Sequence, residues 1–122
     1  DVAVIAFYAA QVRALENALE PRIRPGLRVG SVDAFQGSEA DVVVISAVRA
    51  PYNWGESRPD DLGFVKDKRR FNVALTRARH ALVVVCDADT LANERAADHV
   101  SGLVRDATAK GDVVPAASLD AY

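Results

Sequence analysis

The run Val42-Val43-Val44-Ile45-Ser46-Ala47-Val48 constrains the fold more than any other stretch, because neither of its faces is polar. Alternate side chains of a strand point to opposite faces, so such a run belongs in a sheet covered by helices on each side, as parallel sheets are. Ala81 to Cys86 is a second block of this kind, and Val2 to Phe7 and Leu27 to Val32 are shorter ones. Ala9 to Leu19 has helical spacing and is stopped by Pro21, and Arg22 to Gly26, containing Pro25-Gly26, is a turn. Leu91, Val100, Leu103, Val104 and Ala107 suggest helical packing ahead of Lys110-Gly111. Alternating strands and helices predict an α/β domain with a mostly parallel sheet flanked by helices. Asp33 to Asp41 is short for a crossover between neighbouring parallel strands, so the strands on either side of it either do not lie side by side or are joined by one tight turn.

The chain has 122 residues, half of them hydrophobic, which suits a single globular domain spanning 1–122. No apolar stretch reaches the roughly 18 residues that a membrane helix needs, and there is no charged-then-apolar leader, so neither a membrane span nor a signal peptide is expected. One cysteine rules out an internal disulfide and gives no metal cluster. Cys86, at the end of a Val-rich strand, reads as a small buried hydrophobe. Residues 50 to 63 read as a surface loop in which Tyr52 and Trp54 could stack on bases or fold back on the core.

Charge is distributed unevenly along the chain. The net charge is −2, yet residues 66 to 86 carry six basic groups and one acidic group. A basic island in an acidic protein points to a phosphate site rather than a broad electrostatic footprint. A helix through Arg69 to His80 would put Phe71, Ala74, Leu75 and Ala78 on an apolar face, Arg70, Val73 and Arg77 on a second stripe, and Asn72, Thr76 and Arg79 on a polar flank. Asp67 is a good N-cap for it, although Lys68, Arg69 and Arg70 then crowd the positive end of the helix dipole. Taken alone, the charge is better explained by a solvated basic face.

Two long segments go further. VDAFQGSEADVVVIS (Val32 to Ser46) and RRFNVALTRARHALVVV (Arg69 to Val85) resemble motifs V and VI of superfamily 1 helicases, in the subgroup typified by the nonsense-mediated-decay helicase and senataxin. Leu62-Gly63-Phe64 sits ahead of the basic helix as the family pattern has it, and Val2 to Arg13 resembles motif IV. There the family often has Pro where this chain has Phe7, and Arg13 falls one position late. The resemblance implies the second RecA-like domain of a helicase core, a P-loop NTPase-type fold, and covers Val2 to about Val114.

By that resemblance Arg77 is an arginine finger that reaches the γ-phosphate across an interdomain cleft, and Glu39 accepts hydrogen bonds from the nucleotide ribose. Gly37 would let the backbone approach the nucleotide, and Tyr8 would pack on the base. Gln36 and Asn72 would line the cleft, and Arg70 would pair with a carboxylate or assist the finger. Ser31 and Asp33 would couple the nucleotide site to the bound strand. Tyr8, Asp33 to Glu39, and Arg49 all follow predicted strands, so one common carboxyl edge is expected to carry the ligand.

The implied cofactors are ATP and Mg²⁺, with the metal held by an absent first domain, since no G-x-x-x-x-G-K-[ST] loop occurs in the sequence. The implied partners are single-stranded DNA or RNA and an N-terminal RecA-like domain, with 5′ to 3′ movement, and the chain alone is expected not to hydrolyse ATP. An intracellular enzyme is implied, and nucleus and cytoplasm are not distinguished. A non-catalytic RecA-like module for nucleic acid or protein, and an ATP-driven remodeller without helicase activity, remain as alternatives.

Overall fold

Val2–Ala6 (β1), Leu27–Ser31 (β2), Ala40–Ala47 (β3) and Ala78–Cys86 (β4) form one parallel sheet in the spatial order β2-β1-β3-β4. The structure, a computed structural model, describes residues 1–47, 68–87 and 98–121. Tyr52, Trp54, Asp67, Leu91 and Arg49 lie outside the described residues. β1 separates β2 from β3, so the short Asp33 to Asp41 segment does not join neighbours.

The helices are Ala9–Leu19 (α1), Lys68–Leu75 (α2) and Asp98–Lys110 (α3). The β1-to-β2 crossover, α1, lies on the face to which Ser46 points, and Gln11 Nε2 is 3.4 Å from Ser46 Oγ. The return from β2 to β3 uses the opposite face, where Phe35 joins the core with Val43 and Ile45. Travel in opposite directions over opposite faces gives both crossovers one hand, as parallel connections require.

That second face holds the main core. Ala3, Ile5, Val43, Ile45, Phe71 and Ala74 are fully buried there, with Phe7, Phe35 and Val104 around them. Phe71 of α2 stacks on Phe7 with ring centroids 6.2 Å apart, and His99 of α3 meets it edge-on at 5.3 Å. α2 is thereby laid across the sheet from its carboxyl end towards its amino end.

Three expectations change. The basic helix stops at Leu75, and Ala78 and Arg79 are strand residues. Thr76 ends it: its N–H and hydroxyl both donate to the Asn72 carbonyl, at 3.1 and 2.9 Å, and the next N–H, Arg77, reaches only the Ala74 carbonyl at 3.4 Å. Ala78 then pairs with Ala40, an alternative that a helical projection does not contain. The sheet is also unevenly covered. Ala3 to Ala6 are buried on both faces, whereas Val83 and Val85 of β4, which share the α1 face with Ser46, are 48% and 58% exposed. Cys86 is half-buried rather than buried.

Candidate functional site

The residues singled out in the sequence do not share one edge. Segment 33–39 leaves the carboxyl end of β2 and arrives at the amino end of β3, so Asp33 and Glu39 stand at opposite rims. A five-residue strand such as β1 spans about 16 Å, which is the order of the separation. The single carboxyl edge expected for Tyr8 and Asp33 to Glu39 is therefore split in two, because the return path itself crosses the sheet.

At the carboxyl rim, Tyr8 is the N-cap of α1, where its carbonyl accepts the Val12 N–H at 3.0 Å, and its half-buried side chain packs against the core. Ser31 Oγ accepts the Ala34 N–H at 3.3 Å, which fixes the 3₁₀ turn Asp33–Phe35. Asp33 Oδ2 lies 3.6 Å from Arg70 Nη2, an exposed pair that ties the start of the turn to the start of α2. Gln36 and Asn72 are exposed, and neither side chain makes a hydrogen bond among the described residues.

The amino rim holds the denser constellation. Arg77, just past α2, donates from Nε to the Val73 carbonyl at 3.0 Å, from Nη1 to the Ser38 carbonyl at 3.1 Å and from Nη2 to Thr76 Oγ1 at 3.1 Å. A guanidinium has five N–H donors, so one on each terminal nitrogen remains uncommitted. Its carbonyl in turn accepts the Ala40 N–H at 3.0 Å. Gly37 has φ +77°, a left-handed conformation that glycine adopts without strain, and the space where a Cβ would project is open.

Glu39 is exposed beside Arg77. Arg79 Nε donates to its Oε2 at 3.2 Å, while Arg79 Nη1 reaches Asp41 Oδ1 at 3.4 Å. The Glu39 hydrogen bond, and behind it Asp41, raises the Arg79 pKa above its ordinary value. Arg28, projecting from β2, donates to Ser38 Oγ at 2.9 Å and to the Glu39 carbonyl at 2.7 Å, with its guanidinium 5.2 Å from the Phe35 ring centroid.

Arg28 and Asp41 were not among the residues singled out from the sequence. A signal was present for Arg28, an arginine inside the apolar strand Leu27-Arg28-Val29, but its partners are ten and eleven residues away and depend on the crossover. Chemically, the amino rim offers a cation with spare donors, a carboxylate with a free oxygen and an open glycine turn. Such a set suits the phosphate and hydroxyl groups of a nucleotide.

A family model described as an AAA domain (AAA_12) matches residues 1–89. The rat DNA-binding protein SMUBP-2 is 42% identical over 93 residues, covering 76% of this chain and 9% of that protein. A Drosophila melanogaster regulator of nonsense transcripts 1 homolog is 34% identical over 99 residues, 81% of this chain and 8% of its own length. The Saccharomyces cerevisiae ATP-dependent helicase NAM7 is 36% identical over 93 residues, 76% and 9% respectively. The chain spans about a tenth of the length of these curated relatives.

Proposed function

Because the chain belongs to the AAA domain family, as a C-terminal RecA-like domain of the superfamily 1 helicase type, we propose that its amino rim is one half of an ATPase site in an ATP-dependent helicase. The observation that carries this reading is the placement of Arg77 and Glu39 on one rim, joined through the Ser38 carbonyl, with two donors of Arg77 uncommitted.

Bound ATP would supply the phosphoanhydride whose hydrolysis drives movement. Arg77 would place a planar cation against the γ-phosphate oxygens, where charge spreads in the transition state, and such a group contributes about 10³ to 10⁵ in rate. Its three internal hydrogen bonds orient the guanidinium before nucleotide arrives, so little reorganisation is needed. Glu39 would accept from the ribose hydroxyls, and Gly37 would leave room for the nucleotide beside the backbone. The sequence contains no phosphate loop, so the β-phosphate and Mg²⁺ are assigned to a partner RecA-like domain.

Ser31 and Asp33, at the carboxyl rim, would couple the nucleotide site to the bound strand, with Arg70 pairing to Asp33 and Tyr8 packing on the nucleotide base. Closure and opening of the two-domain cleft would move the protein 5′ to 3′ along a single strand of DNA or RNA.

The test is Arg77→Ala in the full-length protein, with nucleic-acid-stimulated ATP turnover and nucleotide binding measured separately. Turnover is expected to fall by about 10³-fold or more with binding largely kept. Substantial residual hydrolysis rejects the finger. It would favour the second reading, a RecA-like binding module in which Arg77 serves only as the internal clamp that its three acceptors describe.

A further inference from the structure

Arg79 stands where it can set the direction of the Glu39 carboxylate. Glu39 and Asp41 flank Ala40, two residues apart, and so point to the same side of the chain. The Arg79 guanidinium spans both, at 3.2 Å to Glu39 Oε2 and 3.4 Å to Asp41 Oδ1. It does so from an irregularity in the sheet. Ala40 pairs with Ala78 and Val42 with Ala81, so β4 takes three steps where β3 takes two. The extra residue is a β-bulge, a device that re-aims a side chain. Here it falls at Arg79 and His80.

The Glu39 main chain is fastened separately. Arg28 holds its carbonyl at 2.7 Å, and Arg28 and Arg77 grip Ser38 at its hydroxyl and its carbonyl. What remains free is the side chain, and Arg79 takes Oε2 alone. Oε1 accepts no hydrogen bond among the described residues. Arg79 and Glu39 are 51% and 57% exposed, so the pair adds little stability, and its effect is directional.

We propose that Arg79 is a positioning residue for nucleotide recognition: by holding Oε2 of Glu39 from the β4 bulge, with Asp41 as its second anchor, it presents Oε1 to a hydroxyl donor of the bound nucleotide. The inference rests on the reading of Glu39 as the residue that binds the ribose. It adds that the selectivity of that contact is set by a neighbour that need not touch the nucleotide.

The experiment compares ATP with 2′,3′-dideoxy-ATP as substrates of the full-length protein at saturating single-stranded nucleic acid. Wild type is expected to favour ATP through KM, and Glu39→Ala to lose that preference. Arg79→Ala narrows the preference by about three- to tenfold, with kcat at saturating ATP little changed. Combined with Glu39→Ala it adds nothing further. Arg79→Lys, which cannot bridge two carboxylates, restores only part of the preference. Asp41→Asn weakens the second anchor by removing its charge, narrows the preference in the same direction, and serves as the test if Arg79→Ala fails to fold. A wild-type preference in Arg79→Ala or in folded Asp41→Asn, with the preference lost in Glu39→Ala, overturns the positioning role. If Glu39→Ala itself keeps the preference, the ribose reading fails and the positioning role falls with it.

Discussion

Arg77 and Ser38 hold each other's segments together: the Arg77 guanidinium donates to the Ser38 carbonyl at 3.1 Å, and two residues on, the Ala40 N–H returns a 3.0 Å bond to the Arg77 carbonyl. The end of the basic helix and the end of the glycine turn are thus one unit before any ligand binds.

Arg77→Ala should therefore cost stability as well as turnover. Loss of the side-chain bonds to the Ser38 and Val73 carbonyls is expected to destabilise the chain by about 1–2 kcal/mol in urea unfolding, without a change in the slope of the transition. Unchanged stability would mean that water replaces the guanidinium at no cost.

Phe71 is fully buried, stacked on Phe7 and met edge-on by His99. Phe71→Ala should cost about 3–5 kcal/mol, a large part of what a domain of this size has. Phe71→Leu should cost less, since it keeps most of the volume. Thermal or urea unfolding distinguishes the two.

Gly30 and Gly37 should fail for different reasons when changed to alanine. At Gly30 a Cβ would come within 3.0 Å of the buried Phe35 ring and 3.3 Å of Ala34 Cβ, so the expected loss of about 1–3 kcal/mol comes from overpacking. At Gly37 a Cβ meets nothing, and the expected loss of about 1–2 kcal/mol comes from the backbone at φ +77°. Asparagine, which tolerates that conformation, should recover part of the loss at position 37 and none at position 30.

Burial, and after it the charge of Asp87, pushes the Cys86 thiol above its ordinary pKa. At neutral pH it should react with iodoacetamide more slowly than free cysteine does. The sign of the linkage follows: the folded state favours the protonated thiol, so this stabilisation is present below the unfolded pKa and is lost as pH rises through the folded one. A reaction as fast as that of free cysteine at pH 7 would contradict the shift.

Much of the sheet was legible in the residues because a parallel core leaves little choice. A run such as Val42 to Ala47 cannot face water, and a nine-residue return is short for a crossover between neighbours, which left separated strands or one tight turn; the sheet order decides for separation. The end of α2 was not legible. Helical spacing continues through Ala78 and Arg79, and only the pairing of Ala78 with Ala40, some forty residues distant, decides against it. The rim on which each residue stands was hidden for a related reason. Glu39 follows a predicted strand in sequence and precedes one in space, and the difference lies in the path between them. Arg28 and Asp41 owe their roles to the same path, since their partners are set by topology rather than by neighbours in sequence.

The two segments that cross the sheet side by side, 33–39 and α2, are fastened at both ends, by Arg77 to Ser38 at one rim and by Arg70 to Asp33 at the other. They act as a strut with unlike ends. The first joint is a pair of half-buried and main-chain hydrogen bonds that salt scarcely touches, whereas the second is an exposed ion pair at 3.6 Å that salt screens. Ionic strength therefore weakens the Arg70–Asp33 pair far more than it weakens the Arg77 joint.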